Sequence, residues 1–203
     1  MANAGIARAI VVDSRLLFGE MLQTCLAKGG HTILGQAQTL DEALMQIDTL
    51  HPNLVILGPE LAEHSLCICR EIICYSPESK VIIFSKHADE PLFQADAFQV
   101  GASACPHAEI TIEELQVVID QVLSGQRLFP HESYSLAFQP IELTRREREV
   151  LRLIVDGKSD KEIADALGLK FNTVRNHTQH ILEKLGVHSR QEAMWRARSR
   201  GLV

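Results

Sequence analysis

Residues 171–185 carry the side chains with the most evident chemistry. Val174, Thr178, Ile181, Leu182 and Leu185 recur at i, i+4, i+7, i+8 and i+11, the spacing of one face of a helix. At about 100° per residue the opposite face then presents Asn172, Arg175, Asn176, Gln179 and Glu183 together. Guanidinium and carboxamide groups make paired hydrogen bonds: Arg matches the two acceptors on the edge of guanine, and Asn or Gln the donor and acceptor on adenine. Lys161, Lys170 and Thr173 flank this face and suit a phosphate backbone, so the chemistry is recognition of a polyanion with readable edges.

Short helices around this segment must hold it. Three Ser or Thr residues are each followed three positions later by Glu: Thr144 with Glu147, Ser159 with Glu162, and Ser189 with Glu192. Each pair can close the free N–H groups of a helix start as a capping box. The helix from Phe171 has no such box and begins after Lys170, whose charge opposes the helix dipole. Val150, Leu151, Ile154, Ile163, Ala164, Leu167, Val174, Ile181 and Leu185 are the expected core, Ala164 allows close helix approach, and Gly168 suits a left-handed turn.

LTRREREVL from Leu143, KEIA from Lys161, TVRNH from Thr173, KLGV from Lys184 and the closing RGLV together resemble the helix-turn-helix domain of the LuxR/NarL/FixJ family of bacterial transcription regulators. The resemblance implies a four-helix domain over 141–203, double-stranded DNA as partner, and groove contacts just after Thr-Val, at Arg175, Asn176 and Gln179. It also implies a dimer contact on the last helix, from about Arg190 to Arg200, where Ala193, Met194 and Ala197 share a side. A homodimer would favour an inverted-repeat site. Lys170 departs from the family, which usually has a capping Ser there.

The chain has 203 residues, enough for two modest cores. Its net charge of −6 is unevenly placed. Residues 1–140 hold 7 basic and 17 acidic side chains, and residues 141–203 hold 13 and 9, so only the C-terminal part suits a polyanion. No apolar run approaches the roughly eighteen residues of a membrane span, and the opening MANAGIARAIVVDS reads as neither a secretory signal nor an anchor. A cytoplasmic protein is expected.

Upstream, Ala9–Val12, Leu54–Leu57 and Val81–Phe84 are continuous apolar runs, the mark of parallel strands buried on both faces. Thr32–Ala37 and Ala102–Cys105 are shorter strand candidates. Helical spacing appears at Phe18, Met21, Leu22 and Cys25, at Leu40 to Leu50, at Ala62, Leu66, Cys69 and Ile73, and at Ile112 to Val122. The pattern predicts a mixed α/β domain over 1–123 with five parallel strands, doubly wound. VVDSRLLF, HPNLVIL, VIIFS and Gly101–Ser103 resemble a two-component receiver, which implies the flavodoxin-like fold. Its chemical positions are largely replaced: Asp13 is followed by Ser14 rather than a second acid, Gly58 stands for the acceptor Asp, Ser85 keeps the hydroxyl, and Ala108, or His107 with a one-residue shift, replaces the Lys. Cys105 takes the aromatic switch position. Glycine offers no nucleophile, so control through dimerisation, a protein partner or a ligand is expected instead of aspartyl phosphorylation.

Residues 124–140 read as a linker broken by Gly125, Pro130 and Pro140. Leu128, Phe129, Tyr134, Leu136 and Phe138 make it too apolar for a free tether, so part of it should pack on a domain. The alternative reading is a redox or haem sensor using Cys67, Cys74 and Cys105. Cys67 and Cys74 are seven helical residues apart, about 10 Å, too far for an intramolecular disulfide, and Cys105-Pro106-His107 is only a short motif. No metal-ligand spacing, cofactor motif or converging nucleophile, base and oxyanion donor is present, so no catalytic residue, metal or cofactor is assigned.

Overall fold

Strands built of Val, Ile and Leu with little polar interruption must be covered on both sides, and the chain does this with helices. The computed structural model describes residues 5–61, 64–137 and 140–203. Strands β1 (Arg8–Val12), β2 (Thr32–Ala37), β3 (Leu54–Leu57) and β4 (Lys80–Ile83) form a parallel sheet in the order β2-β1-β3-β4. Val12 lies opposite Leu57, and Leu57 opposite Ile83, so the C-terminal strand ends are level. Helices α1 (Leu16–Ala27), α2 (Leu40–Leu50), α3 (Ser65–Tyr75), α4 (Pro91–Gln99) and α5 (Ile112–Leu123) complete the α/β alternation. Val11, Leu54, Ile56 and Ile82 share a core with Leu22 and Leu26 of α1 and Leu115, Ile119 and Val122 of α5. Their strand neighbours Ile10, Val12, Val55 and Leu57 are equally buried, and point to the other face by the twofold strand period.

Among the described residues the expected five strands are four. Residues 102–105 run beside β4, joined to it by an isolated bridge of Ile82 with Ala104, and a further bridge links Ser85 to His107 beyond the two segments. Gly101, at φ +99°, turns the chain just before this segment, and Pro106 just after it has no N–H to continue a ladder. On its outer side Leu128 adds a further bridge to Ala104, its N–H donating to the Ser103 carbonyl at 2.8 Å. Two helical faces also differ from the expected ones. Met21 is solvent-exposed while Leu22 and Leu26 fill the core, and α3 buries Leu66, Cys69 and Ile72. Ala62, expected on that face, lies outside the described residues.

Helix α4 has no amphipathic signature because it is covered on two sides. Phe93, Gln94, Ala95, Asp96 and Ala97 are consecutive and all buried. A further helix, α6 (His131–Ala137), packs along α4. Phe129 meets Phe98 edge to face at 5.6 Å, and the Arg127 guanidinium sits 3.9 Å over the Phe98 ring. Arg127 also donates to the Ala102 carbonyl at 3.0 Å and to that of Phe98. Most of the stretch expected as a tether is therefore part of the N-terminal unit. Phe138 and the Tyr134 side chain lie outside what is described.

Residues up to 138 and from 139 onward cluster as two units. In the second, α7 (Arg145–Val155), α8 (Asp160–Leu167), α9 (Phe171–Leu185) and α10 (Arg190–Ser199) enclose Val150, Leu151, Ile154, Ile163, Ala164, Val174, Ile181 and Leu185, with Leu167 packed against them. Thr144–Glu147 and Ser159–Glu162 form complete capping boxes. At Ser189 the hydroxyl accepts from Glu192 N–H, but the Glu192 carboxylate reaches back to His188 N–H instead, at 2.8 Å.

Candidate nucleic-acid interface

Gly168 closes α8 at φ +63°, ψ 36°, a conformation that costs a residue with a Cβ more than glycine. Two residues later α9 begins. Its Val174, Ile181 and Leu185 are buried against the domain core, whereas Asn172, Arg175, Asn176 and Gln179 are all exposed. The amphipathic face is thus placed as its spacing predicts. Burying the three apolar anchors contributes on the order of 2 kcal/mol each, which fixes the roll of the helix. Gln179 donates to Glu183 at 3.1 Å. Lys161 on α8 and Lys170 before α9 are exposed, and Thr173 is half-buried. Lys170 is the N-cap residue, at φ −76° and ψ 144°, and gives no side-chain cap. Among the described residues Lys161, Lys170 and Arg175 show no ion pair.

Several other cations of this unit hold it together. Lys184 Nζ lies 2.7 Å from Glu147 Oε2 and ties α9 to the start of α7. Glu147 is 5% exposed. Burial pushes its carboxyl up, but the Lys184 ammonium and the Thr144 N–H and hydroxyl outweigh that and bring it down to about 2. Arg190 pairs with Asp160 at 2.7 Å, and Asp160 accepts a long bond from Thr178 of α9 at 3.5 Å. Arg146, Arg196 and Arg198 donate to carbonyls at the ends of α8, α9 and α7: Leu167, Gly186 and Val155. The box partner Glu147 was visible in sequence; its bond to Lys184 was not, since 37 residues separate them.

Ala193 and Ala197 of α10, on the side expected for a dimer contact, are fully buried in the core of their own domain with Met194 packed beside them. That side is occupied by packing within the chain.

At the C-terminal strand ends of the N-terminal unit, Asp13 is 3% exposed. Its Oδ1 accepts from Arg15 N–H at 2.8 Å and its Oδ2 from Glu60 N–H at 3.3 Å. Arg15 bridges Asp13 at 3.7 Å and Glu60 at 3.2 Å. A Cβ on Gly58 would lie 2.0 Å from Asp13 Oδ2, so the aspartate fills the room a side chain there would need. Ser85 is buried and its hydroxyl accepts from His87 N–H at 3.0 Å. Ser14 is exposed, and Ala108 is half-buried with its N–H donating to the Ser85 carbonyl. Gly58 and Asp13 are thus in direct contact at the strand ends, and Ser85 follows the end of β4. A magnesium ion needs several oxygen ligands; Asp13 has both oxygens engaged, Gly58 has none to offer, and the residues present do not fit one.

Of the candidate sensor cysteines, Cys105 is buried, Cys67 half-buried and Cys74 exposed. Burial, with Cys69 nearby, pushes the Cys105 thiol well up, and burial does the same to Cys69. Neither is held as the reactive thiolate.

Residues 142–197 match the family model of the bacterial regulatory proteins of the luxR family. Over 196 residues the chain is 32% identical to the uncharacterized transcriptional regulatory protein YvfU of Bacillus subtilis, covering 96% of this chain and 98% of that one. It is 31% identical to the transcriptional regulatory protein DesR of the same organism, over 95% and 96% of the two chains. A solved structure of RcsB from Salmonella enterica serovar Typhimurium bound to a promoter shares the fold, with TM-score 0.70 at 16% identity over 97% of this chain and all of that one. An α/β receiver-like unit followed by a helical unit with an exposed polar helix defines a transcription regulator of the response-regulator type. This chain belongs to the luxR family of bacterial regulatory proteins.

Proposed function

We propose that this regulator binds double-stranded DNA as a homodimer through α9, and that its receiver-like domain exerts control without accepting a phosphoryl group. The observation that carries the first part is the exposed row Asn172, Arg175, Asn176 and Gln179, rolled outward by three buried anchors. Arg175, Asn176 and Gln179, with Asn172, read base edges in the major groove, and Lys161, Lys170 and Thr173 hold phosphates. RcsB, which shares the fold, has been solved as dimers on DNA, and that supports the dimer.

Arg175→Ala should reduce discrimination between the selected operator and random DNA by about tenfold, from the 1–3 kcal/mol of a bidentate base contact. The operator would come from selection of genomic fragments on the purified protein. Equal losses on both DNAs would count against base reading.

The closed Asp13–Arg15–Glu60 corner and the missing side chain at Gly58 support the second part. Control then acts through dimerisation, a protein partner or a ligand. Acetyl phosphate should leave the operator affinity unchanged and label no residue of the N-terminal unit; a tightened affinity with a hydroxylamine-labile phosphate would overturn this.

A further inference from the structure

The strip of Arg145, Arg148 and Arg152 along α7 has no part in the functions assigned so far. These residues sit at i, i+3 and i+7, all exposed, and with Glu149 they line a shallow groove of about 480 Å³. Glu149 is neutralised locally, 2.6 Å from Arg146 and 3.3 Å from Arg145. Arg148 and Arg152 show no hydrogen bond or ion pair among the described residues. The guanidinium groups of Arg148 and Arg152, with Arg145 shared with Glu149 beside them, offer forked donors shaped for carboxylate or phosphate oxygens.

Orientation decides which anion fits. Helix α7 turns Glu147, Val150, Leu151 and Ile154 inward, and by the helical period the arginine row lies about 150° from that inward direction. Helix α9 likewise turns Val174, Ile181 and Leu185 into the same core and its base-reading row outward. The two helices pack on each other through their inward faces, so the two polar rows leave the domain on different sides. With α9 in a groove of DNA, the arginine row remains accessible. Glu149 also interrupts it, which disfavours a continuous phosphate track, whereas a helix bearing spaced carboxylates reaches Arg148 and Arg152 and passes Glu149.

We propose that the outer face of α7 is a docking surface for an acidic protein segment, a partner carrying Asp or Glu at helical spacing, engaged while α9 holds DNA. The test uses the full chain, with the DNA face saturated by duplex, and a fluorescein-labelled ten-residue oligoglutamate as the probe. Arg148→Glu with Arg152→Glu should weaken peptide binding at least tenfold, and leave duplex affinity within twofold with the same salt slope. The milder pair Arg148→Ala with Arg152→Ala should weaken the peptide in the same direction, with the unfolding transition in place. Unchanged peptide binding in both variants would overturn the proposal. So would a loss of duplex affinity with a shallower salt slope, which would assign the row to the DNA backbone.

Discussion

Lys170 opens α9 without a side-chain cap, while α7 and α8 in the same domain start with complete capping boxes. A cation at a helix start is unfavourable by itself, and a missing cap costs on the order of 1 kcal/mol. A DNA phosphate at that point would offset both effects. Lys170→Ser is therefore expected to stabilise the C-terminal unit by about 1 kcal/mol and to weaken binding uniformly across sequences, lowering the salt slope by about one. Unfolding followed at Trp195, the one tryptophan of the chain, together with a salt series of duplex titrations, checks both halves. Glu147 makes the opposite contribution. Its carboxyl is lowered from 4.5 to about 2 in the folded state, so its stabilisation is complete above pH 4.5 and is lost as pH falls toward 2. The shift corresponds to on the order of 3 kcal/mol. Glu147→Gln should remove stability of that order at pH 7 and flatten the acid limb of a stability profile between pH 4.5 and 2. An unaltered acid limb would mean that Lys184 does not hold this carboxylate.

Among the elements, α4 and α6 change how the N-terminal unit is understood. The segment after α5 bridges to the sheet edge through Leu128 and then lays α6 along α4. Arg127 joins the layers by stacking on Phe98 and donating to the carbonyls of Phe98, near the end of α4, and of Ala102 beyond it. At the other end of α4, Gln94 donates to the carbonyls of Ala88 and Cys105, at 2.7 and 2.8 Å. One helix thus connects the loops that carry Ala88 and Cys105 to the segment leaving the domain. Arg127→Ala should release α6, seen as hydrogen exchange across residues 131–137 faster by at least tenfold while β1 and β3 stay protected. Equal protection in the variant would show that α6 docks without it. The absence of a visible helical pattern in α4 has the same origin: a helix buried on two sides has no polar face to set against an apolar one.

At the scale of the whole molecule, an acidic N-terminal part and a basic C-terminal part are joined in one regulator. The sequence by itself determined the α/β and helical units, the roll of α9, the Gly168 turn and most of the C-terminal core. Each of these follows from periodicity, capping or a conformation available chiefly to glycine, all of which act over a few residues. It also determined that no carboxylate stands at Gly58. Only the tertiary structure decided that Asp13 fills the space beside Gly58 and that the segment before residue 138 is a docked helix. It likewise decided that the small-residue side of α10 is used up inside its own domain, and that Glu147 meets Lys184. These contacts join residues far apart in the chain, and neither local spacing nor composition encodes which distant side chain will close a given corner.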